Sequence, residues 1–191
     1  MISSLMISFR MMNRTNQRIY RWFCYKIVLL IDNFNTKSVE KYLEGFVESF
    51  FLYKATRYDI KRKQYLKTGE KYYVSDLGLR YFMLGRKIGD RGHILENVVY
   101  LELIRRGYDV YIGKVDDLEV DFVAINNDGR MYVQVCETLR DSENRILERE
   151  LNSLRAINDN YEKIILTYDN MPLSNEEGIK VINVLDWMLN K

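Results

Sequence analysis

Apolar residues in the first half of the chain recur with the period of a helix between residues 39 and 50. They fall on one side of such a helix, at Val39, Tyr42, Leu43, Phe46, Val47 and Phe50. The next residues, 50–56, lack helical spacing and are rich in aromatic side chains. This change of pattern predicts a helix followed by a strand.

A basic ribbon follows the first predicted strand. Strands are predicted at 64–67 and 71–74, around a polar turn at residues 68–69, and a short helix is predicted at 77–84. A helix followed by a two-stranded basic ribbon is typical of the second half of a winged helix-turn-helix. Residues 35–84 are therefore predicted to form a winged-helix-like segment.

The second half of the chain follows a different order of elements. The pattern predicts a buried helix at 94–104, strands at 109–112, 118–125 and 130–137, a helix at 142–158, a strand at 163–167, and short apolar segments at 179–182 and 185–189. The turn at residues 126–129 (NNDG) is a strong hairpin signal. The predicted fold class is α/β with a mixed central sheet.

Charge is divided unequally between the two halves. Residues 1–91 carry 18 Lys and Arg against 8 Asp and Glu, whereas residues 92–191 carry 11 against 19. The total of +2 therefore combines +10 and −8. This asymmetry predicts two functional units, of which the basic one faces a polyanion.

Composition excludes several classes of protein. Cys24 and Cys136 lie far apart and no CxxC occurs, which argues against a disulfide framework and a structural zinc site. We therefore expect a reducing, cytoplasmic location. Because no apolar run reaches the roughly 18 residues that a membrane span needs, we expect no membrane partner.

The acidic half holds the strongest candidate for chemistry. Glu96 lies on the predicted buried helix, Asp121 lies in an apolar strand in which Val120, Phe122 and Ala124 alternate with Glu119 and Asp121, and Gln134 lies in the paired strand. A carboxylate in an apolar strand is costly unless it is paired or bound to a metal. Glu96 and Asp121 are therefore candidate Mg²⁺ ligands, and Gln134 completes the set. The alternative is that Glu119 and Asp121 face solvent on a half-exposed strand.

Three runs of sequence carry a family resemblance: residues 71–80 (KYYVSDLGLR), 92–100 (GHILENVVY) and 119–122 (EVDF). Together they resemble the C-terminal part of a family of archaeal and bacterial P-loop (AAA-type) ATPases. In that family an ATPase module precedes a winged helix and a C-terminal domain of unknown function, which resembles restriction endonucleases of the PD-(D/E)XK fold. The resemblance covers about residue 35 to the C-terminus and implies an αβββαβ core.

The resemblance also implies a nuclease-like site at Glu96, Asp121 and Gln134, with one departure. The lysine expected two residues after Gln134 is Cys136, which carries no fixed positive charge. Arg140 or Arg145 is a candidate replacement. Without such a replacement, we expect the site to be weakened or inactive.

A second departure from the family pattern concerns the ATP site. No GxxxxGK[ST] motif occurs, so we expect no ATP site, and the chain resembles the family architecture truncated to its C-terminal portion.

We expect a basic leader at 1–34, poorly packed or disordered, although such a start is also typical of targeting segments. A winged-helix-like segment at 35–84 and a restriction-endonuclease-like domain at 85–191 follow.

Nucleic-acid contact is predicted on the basic ribbon, where cations alternate with tyrosines. The candidate residues are Lys54, Arg57, Lys61, Arg62, Lys63 and Lys67. The alternative is a solvated charged ribbon, or a surface that docks the acidic half of the chain or the missing ATPase module.

The function expected from the sequence is that of a DNA-associated or partner-docking module with an inactive nuclease-like site. Its expected partners are double-stranded DNA and a P-loop ATPase module or another copy of the family. Two alternatives remain. One is a Mg²⁺-dependent DNA endonuclease, and the other is a protein–protein interaction module.

Overall fold

The structure is a computed structural model, and it describes residues 36–85, 89–140, 145–170 and 174–189. The predicted leader at 1–34 lies outside the described residues. The strands of the described part are β1 (Leu52–Asp59), β2 (Gln64–Val74), β3 (Asp109–Val115), β4 (Leu118–Asn126), β5 (Gly129–Cys136), β6 (Glu162–Thr167), β7 (Ser174–Glu176) and β8 (Ile179–Asn183). Its helices are α1 (Thr36–Glu48), α2 (Leu77–Leu84), α3 (Arg91–Arg105), α4 (Arg145–Arg155) and α5 (Val184–Met188).

The described strands form one eight-stranded mixed sheet, in the order β2-β1-β3-β4-β5-β6-β8-β7. The pairs β1–β3, β5–β6 and β6–β8 are parallel, whereas β3–β4, β4–β5 and β7–β8 are antiparallel. The α/β class and the mixed sheet are thus confirmed. The predicted order of helix, three strands, helix and strand is that of α3 to β6.

The described residues group into two compact units, one of 36–54 with 74–85 and the other of 55–73 with those from 89 onward. In the first unit, α1 ends in a turn where the Phe51 N–H donates to the Phe46 carbonyl at 2.9 Å, and the rings of these residues lie 5.3 Å apart. The Asp76 carboxylate accepts from the Leu79 N–H at 2.7 Å and so caps α2.

In the second unit, α3 and α4 cover opposite faces of the sheet. Leu151 and Leu154 of α4 are buried in a cluster with Val123. Phe122, the neighbour of Val123 on β4, instead contacts Tyr100 of α3 at a ring distance of 5.9 Å. Because successive residues of a strand point to opposite faces, β4 is buried on both sides.

The basic ribbon differs from the prediction in the position of its turn. The turn predicted at residues 68–69 is wrong, because β2 runs without interruption from Gln64 to Val74 and the chain turns instead at residues 60–63. Gly69 has a φ of +84° inside the strand, so the Thr-Gly pair marks a local irregularity. In addition, β1 pairs with β3, so the ribbon forms one end of the sheet.

No helix among the described residues is long and apolar enough to cross a membrane.

Gly113 on β3 allows its neighbours to approach closely. A Cβ at this position would lie 2.9 Å from Val120 Cβ, 2.9 Å from Val123 Cγ2 and 3.1 Å from Ile60 Cδ1. We predict that Gly113→Ala lowers the free energy of unfolding by about 1–3 kcal/mol through overpacking. Urea unfolding measures this change. Gly45→Ala is the control, because Gly45 lies in helix α1 and a Cβ added there would meet nothing within 4 Å. This substitution should raise the free energy of unfolding by about 0.5–1 kcal/mol. Equal effects of the two substitutions would contradict the prediction.

Candidate functional site

A β-bulge on β4 sets the direction of the Asp121 side chain. Tyr111 pairs with Val123 and Gly113 with Val120, so Ile112 alone lies opposite both Asp121 and Phe122. Such a two-against-one arrangement re-aims the side chains of the bulged strand. It interrupts the simple alternation along β4.

Because of this bulge, the side chains of β4 do not alternate as the sequence predicts. Val120 and Val123 belong to the same buried cluster although they are three residues apart, whereas Phe122 contacts Tyr73 and Tyr100. The expected alternation of Val120, Phe122 and Ala124 against the acidic residues is therefore wrong. It fails because the bulge adds one residue to β4.

Side chains complete the hydrogen bonding between β4 and β5 beside the bulge. The Asp121 N–H donates to Gln134 Oε1 at 3.0 Å, and the Val135 N–H donates to Asp121 Oδ2 at 2.8 Å. Asp121 and Gln134 are therefore brought together, as the sequence predicted. Each of them satisfies a backbone N–H of the facing strand.

The other end of Gln134 is held by α4. Its Nε2 donates to Glu150 Oε2 at 2.8 Å, and Glu150 is 5% exposed. Arg149 Nε donates to the other oxygen, Glu150 Oε1, at 3.0 Å. A buried glutamate is tolerated here because both of its oxygens are paired.

Glu96 of α3 binds residues of β2 that were not predicted as site residues. Lys71 Nζ lies 3.0 Å from Glu96 Oε1, and the Tyr73 hydroxyl donates to the same oxygen at 2.7 Å. Lys71 Nζ also lies 2.9 Å from Glu119 Oε1, while Arg57 pairs with Glu119 Oε2. We call Arg57, Lys71, Tyr73, Glu96, Glu119 and Asp121 the Lys71 cluster.

Burial and charge shift the pKa values of this cluster in opposite directions. Burial would raise the pKa of Glu96, but the Lys71 ammonium and hydrogen bonds outweigh it and lower the pKa to about 2. For Asp121, burial and the charge of Glu96 raise the pKa to about 8, although Lys71 opposes the shift. Burial would lower the pKa of Lys71, but the charges of Glu96, Asp121 and Glu119 raise it.

The set of oxygen atoms does not fit the predicted Mg²⁺ ion. Glu96 Oε1 is bound to Lys71 and Tyr73, and Gln134 Oε1 accepts a backbone N–H. Throughout the described ranges, no group of three or more His, Cys, Asp or Glu side chains is placed to hold a metal. The ammonium of Lys71 supplies the positive charge that these carboxylates need.

Neither predicted replacement for the missing lysine lies in the Lys71 cluster. Arg140 donates to the Asn170 carbonyl at 3.3 Å, and Arg145 begins α4. The Cys136 thiol donates to the Thr138 carbonyl at 3.0 Å, and burial raises its pKa to about 11. The lysine of that cluster is Lys71, which lies on β2, the strand at one end of the sheet.

The predicted nucleic-acid residues separate into different environments. Arg57 lies inside the Lys71 cluster and donates to the Gly69 carbonyl at 2.9 Å, which removes it from the candidate contact surface. Lys54 belongs to the other compact unit. The rest are exposed near the turn between β1 and β2: Lys61, Arg62, Lys63 and Lys67.

Lys71 is not among the site residues that the sequence predicts, because it lies in the predicted basic ribbon. One signal was present in the sequence. Lys71 and Tyr73 are two residues apart, a spacing that places both on one face of a strand. Glu119 and Glu150 were missed because their roles depend on partners from other elements.

Two uncharacterized proteins are similar to this chain. One, from Haemophilus influenzae, is 41% identical over 152 residues, which are 80% of this chain and 37% of the relative. The other, from Methanocaldococcus jannaschii, is 33% identical over 173 residues, which are 84% of this chain and 36% of the relative. The chain thus spans little more than a third of the length of these curated relatives. No protein-family model and no solved structure matches the chain.

The raised pKa of Asp121 predicts a pH-dependent stability. Between about pH 4 and about pH 8 the folded state holds a proton that the unfolded state has released, so the free energy of unfolding falls as pH rises. The slope from this residue approaches about 1.4 kcal/mol per pH unit. Asp121→Asn should remove it in urea unfolding between about pH 5 and about pH 8.

Asp117→Asn is the control for this prediction, because Asp117 is exposed in the turn before β4. It should leave the slope of the wild-type protein unchanged. A slope that persists in Asp121→Asn would contradict the assignment of the proton to Asp121.

Proposed function

We propose that this chain is a DNA-associated module of a P-loop ATPase-family protein and that it contacts the phosphate backbone through one hairpin. The observation that carries this proposal is a group of exposed cations. They lie within residues 60–67, a segment that we call the hairpin tip. Clustered cations bind duplex DNA by displacing its condensed counterions.

The hairpin tip combines charge with an exposed aromatic ring. The side chains of Lys61 and Arg62 are 53% and 74% exposed. Lys63 and Lys67 are also exposed and pair with no acidic side chain of the described residues. Tyr65, between them, is 62% exposed. Tyrosine hydroxyls add hydrogen bonds to phosphate or sugar, which supports contact with the backbone of DNA.

Two ion pairs reduce the charge of this surface. Lys61 pairs with Asp116, and Arg62 lies 3.9 Å from Asp59. Exposed ion pairs of this kind contribute little stability, so phosphate groups compete with them at small cost. The binding expected from such a surface is electrostatic and independent of DNA sequence.

The nuclease-like site is proposed to lack hydrolytic activity. Glu96, Gln134 and Glu150 are each held by hydrogen bonds inside the protein, and Lys71 neutralises the carboxylates around it. A Mg²⁺-dependent endonuclease would nick supercoiled DNA, and Asp121→Ala would abolish the nicking. That result would contradict this part of the proposal and favour the endonuclease.

The link to a P-loop ATPase rests on the resemblance of residues 71–80, 92–100 and 119–122 to that family. The lengths of the two relatives are compatible with it, because the matched region is 37% of one and 36% of the other. The relatives thus have room for a further module. The proposed partner of this chain is such an ATPase module or another copy of the family.

The hairpin tip predicts a specific salt dependence of DNA binding. Filter binding to duplex DNA should show affinity that falls linearly in log units with log salt. In Lys63→Gln/Lys67→Gln we expect weaker binding, with the slope reduced by roughly 0.9 for each phosphate that the variant no longer neutralises. The reduction should be the same for DNA of different sequence.

The matched control carries the same change of charge at residues that are not part of the hairpin tip. Lys41→Gln/Lys180→Gln removes two lysines that are exposed on α1 and β8. Its affinity and salt slope should stay close to those of the wild-type protein. Weak binding that does not depend on salt, or an equal weakening in the two double variants, would contradict DNA contact at the hairpin tip. Binding of an acidic protein in nuclease-treated samples, without DNA binding, would favour the interaction module instead.

A further inference from the structure

We propose that the hairpin tip binds DNA at a place where one strand is unpaired, and that the ring of Tyr65 stacks on an exposed base of that strand. This inference rests on the proposed function and narrows it, because it names the kind of DNA that the surface recognises. Its basis is a row of side chains that continues from the hairpin tip across the sheet. We call Tyr58, Tyr65, Arg130 and Tyr161 the tyrosine row.

Tyr65 lies at the end of the row that belongs to the hairpin tip. Its ring centroid lies 5.1 Å from that of Tyr111 on β3 and 5.5 Å from that of Tyr58 on β1. Tyr58 belongs to the buried cluster that α4 covers, and Tyr111 packs against it. These two rings hold Tyr65 on that face of the sheet, yet Tyr65 is 62% exposed. An exposed ring supported by other rings is a platform on which a base can stack.

The row continues through Arg130 of β5. The Arg130 guanidinium carbon lies 5.0 Å from the ring centroid of Tyr58 and 5.5 Å from that of Tyr161. Tyr161 is 48% exposed. The tyrosine row therefore has an exposed ring at each end and a cation between them. Tyrosine rings and guanidinium planes both stack on unpaired bases.

The charge of Arg130 is available to a phosphate group. Its Nη2 donates to the Tyr58 hydroxyl at 3.0 Å, and its Nη1 donates to the Tyr132 hydroxyl at 3.4 Å. Both partners are neutral, and no acidic side chain of the described residues forms an ion pair with Arg130. Lys67 lies two residues after Tyr65 on β2, a spacing that places both on one face of the strand. The row thus combines rings with cations that complement the phosphates of DNA.

The rings select an unpaired strand over a duplex. In a duplex the bases stack on one another and present only their edges in the grooves, so a tyrosine ring has no base face to contact. Unpaired bases expose their faces, and stacking on an aromatic side chain tolerates any sequence because every base has such a face. The cations therefore contribute to the binding of both kinds of DNA, whereas the rings add affinity for an unpaired strand.

Fluorescence anisotropy with labelled DNA tests the proposal on the full chain. Two probes carry the same number of phosphates, one a blunt duplex and the other a duplex with a single-stranded tail. The wild-type protein is expected to bind the tailed probe at least about fivefold more tightly. A third probe has abasic residues in its tail, which keep the phosphates and remove the bases. Its affinity should fall to that of the blunt duplex.

Variants of Tyr65 assign this preference to the ring. Tyr65→Ala should lose most of the preference for the tail, and the abasic tail should weaken its binding less than that of wild type, since one stacking partner is already gone. Tyr65→Leu keeps apolar bulk over Tyr58 and Tyr111 and should lose the preference as well. Tyr65→Phe keeps the ring and should retain it. The matched control is Tyr42→Ala, which removes a tyrosine that is 48% exposed on α1 and should also retain it.

The outcomes separate this inference from the proposed function. Equal affinity of the wild-type protein for the blunt and tailed probes would overturn the inference and leave duplex binding intact. A preference that survives the abasic tail, or one that is unchanged in Tyr65→Ala, would overturn it in the same way. Absence of binding to every probe would contradict the proposed function and this inference with it.

Discussion

The ion pairs of Lys71 with Glu96 and Glu119 are the interaction on which the candidate site depends. Nζ lies 3.0 Å and 2.9 Å from carboxylates of α3 and β4, so one charge connects three elements of the fold. Removal of one partner of such a pair leaves a buried charge without compensation, which costs far more than the pair contributes. The arrangement therefore fixes β2 against the helix and strand that carry the acids.

The bulge on β4 positions a second group of side chains in the candidate site, Asp121 and Gln134. By placing Asp121 and Phe122 opposite Ile112, it lets Asp121 accept from the Val135 N–H while Gln134 accepts from the Asp121 N–H. The carboxylates thus serve two purposes. Glu96 and Glu119 neutralise Lys71, whereas Asp121 accepts a hydrogen bond from the backbone of β5. The hairpin tip carries exposed cations, whereas the ammonium of Lys71 is buried between carboxylates.

The order of helices and strands could be predicted because period and turn chemistry are local properties. The proximity of Asp121 and Gln134 followed from their places on paired strands. The bulge could not be predicted, because it is defined by the register of Ile112 on another strand. The basic sequence neighbours of Lys71 predict a place in the charged ribbon, whereas its ammonium lies between carboxylates of α3 and β4. The three-residue strand β7 has too few positions for a period to be seen.

The most direct test of this account is the charge of Lys71 itself. The ¹³Cε signals of the lysines can be followed by NMR as pH is raised, with Lys71→Arg identifying the signal of Lys71. A solvated lysine titrates near 10.4, so most of its charge is gone by about pH 11. Lys71 is expected to carry its proton still at that pH, because Glu96, Asp121 and Glu119 raise its pKa. Titration of Lys71 below the ordinary value would contradict the account, because burial without ion pairing lowers the pKa of a lysine.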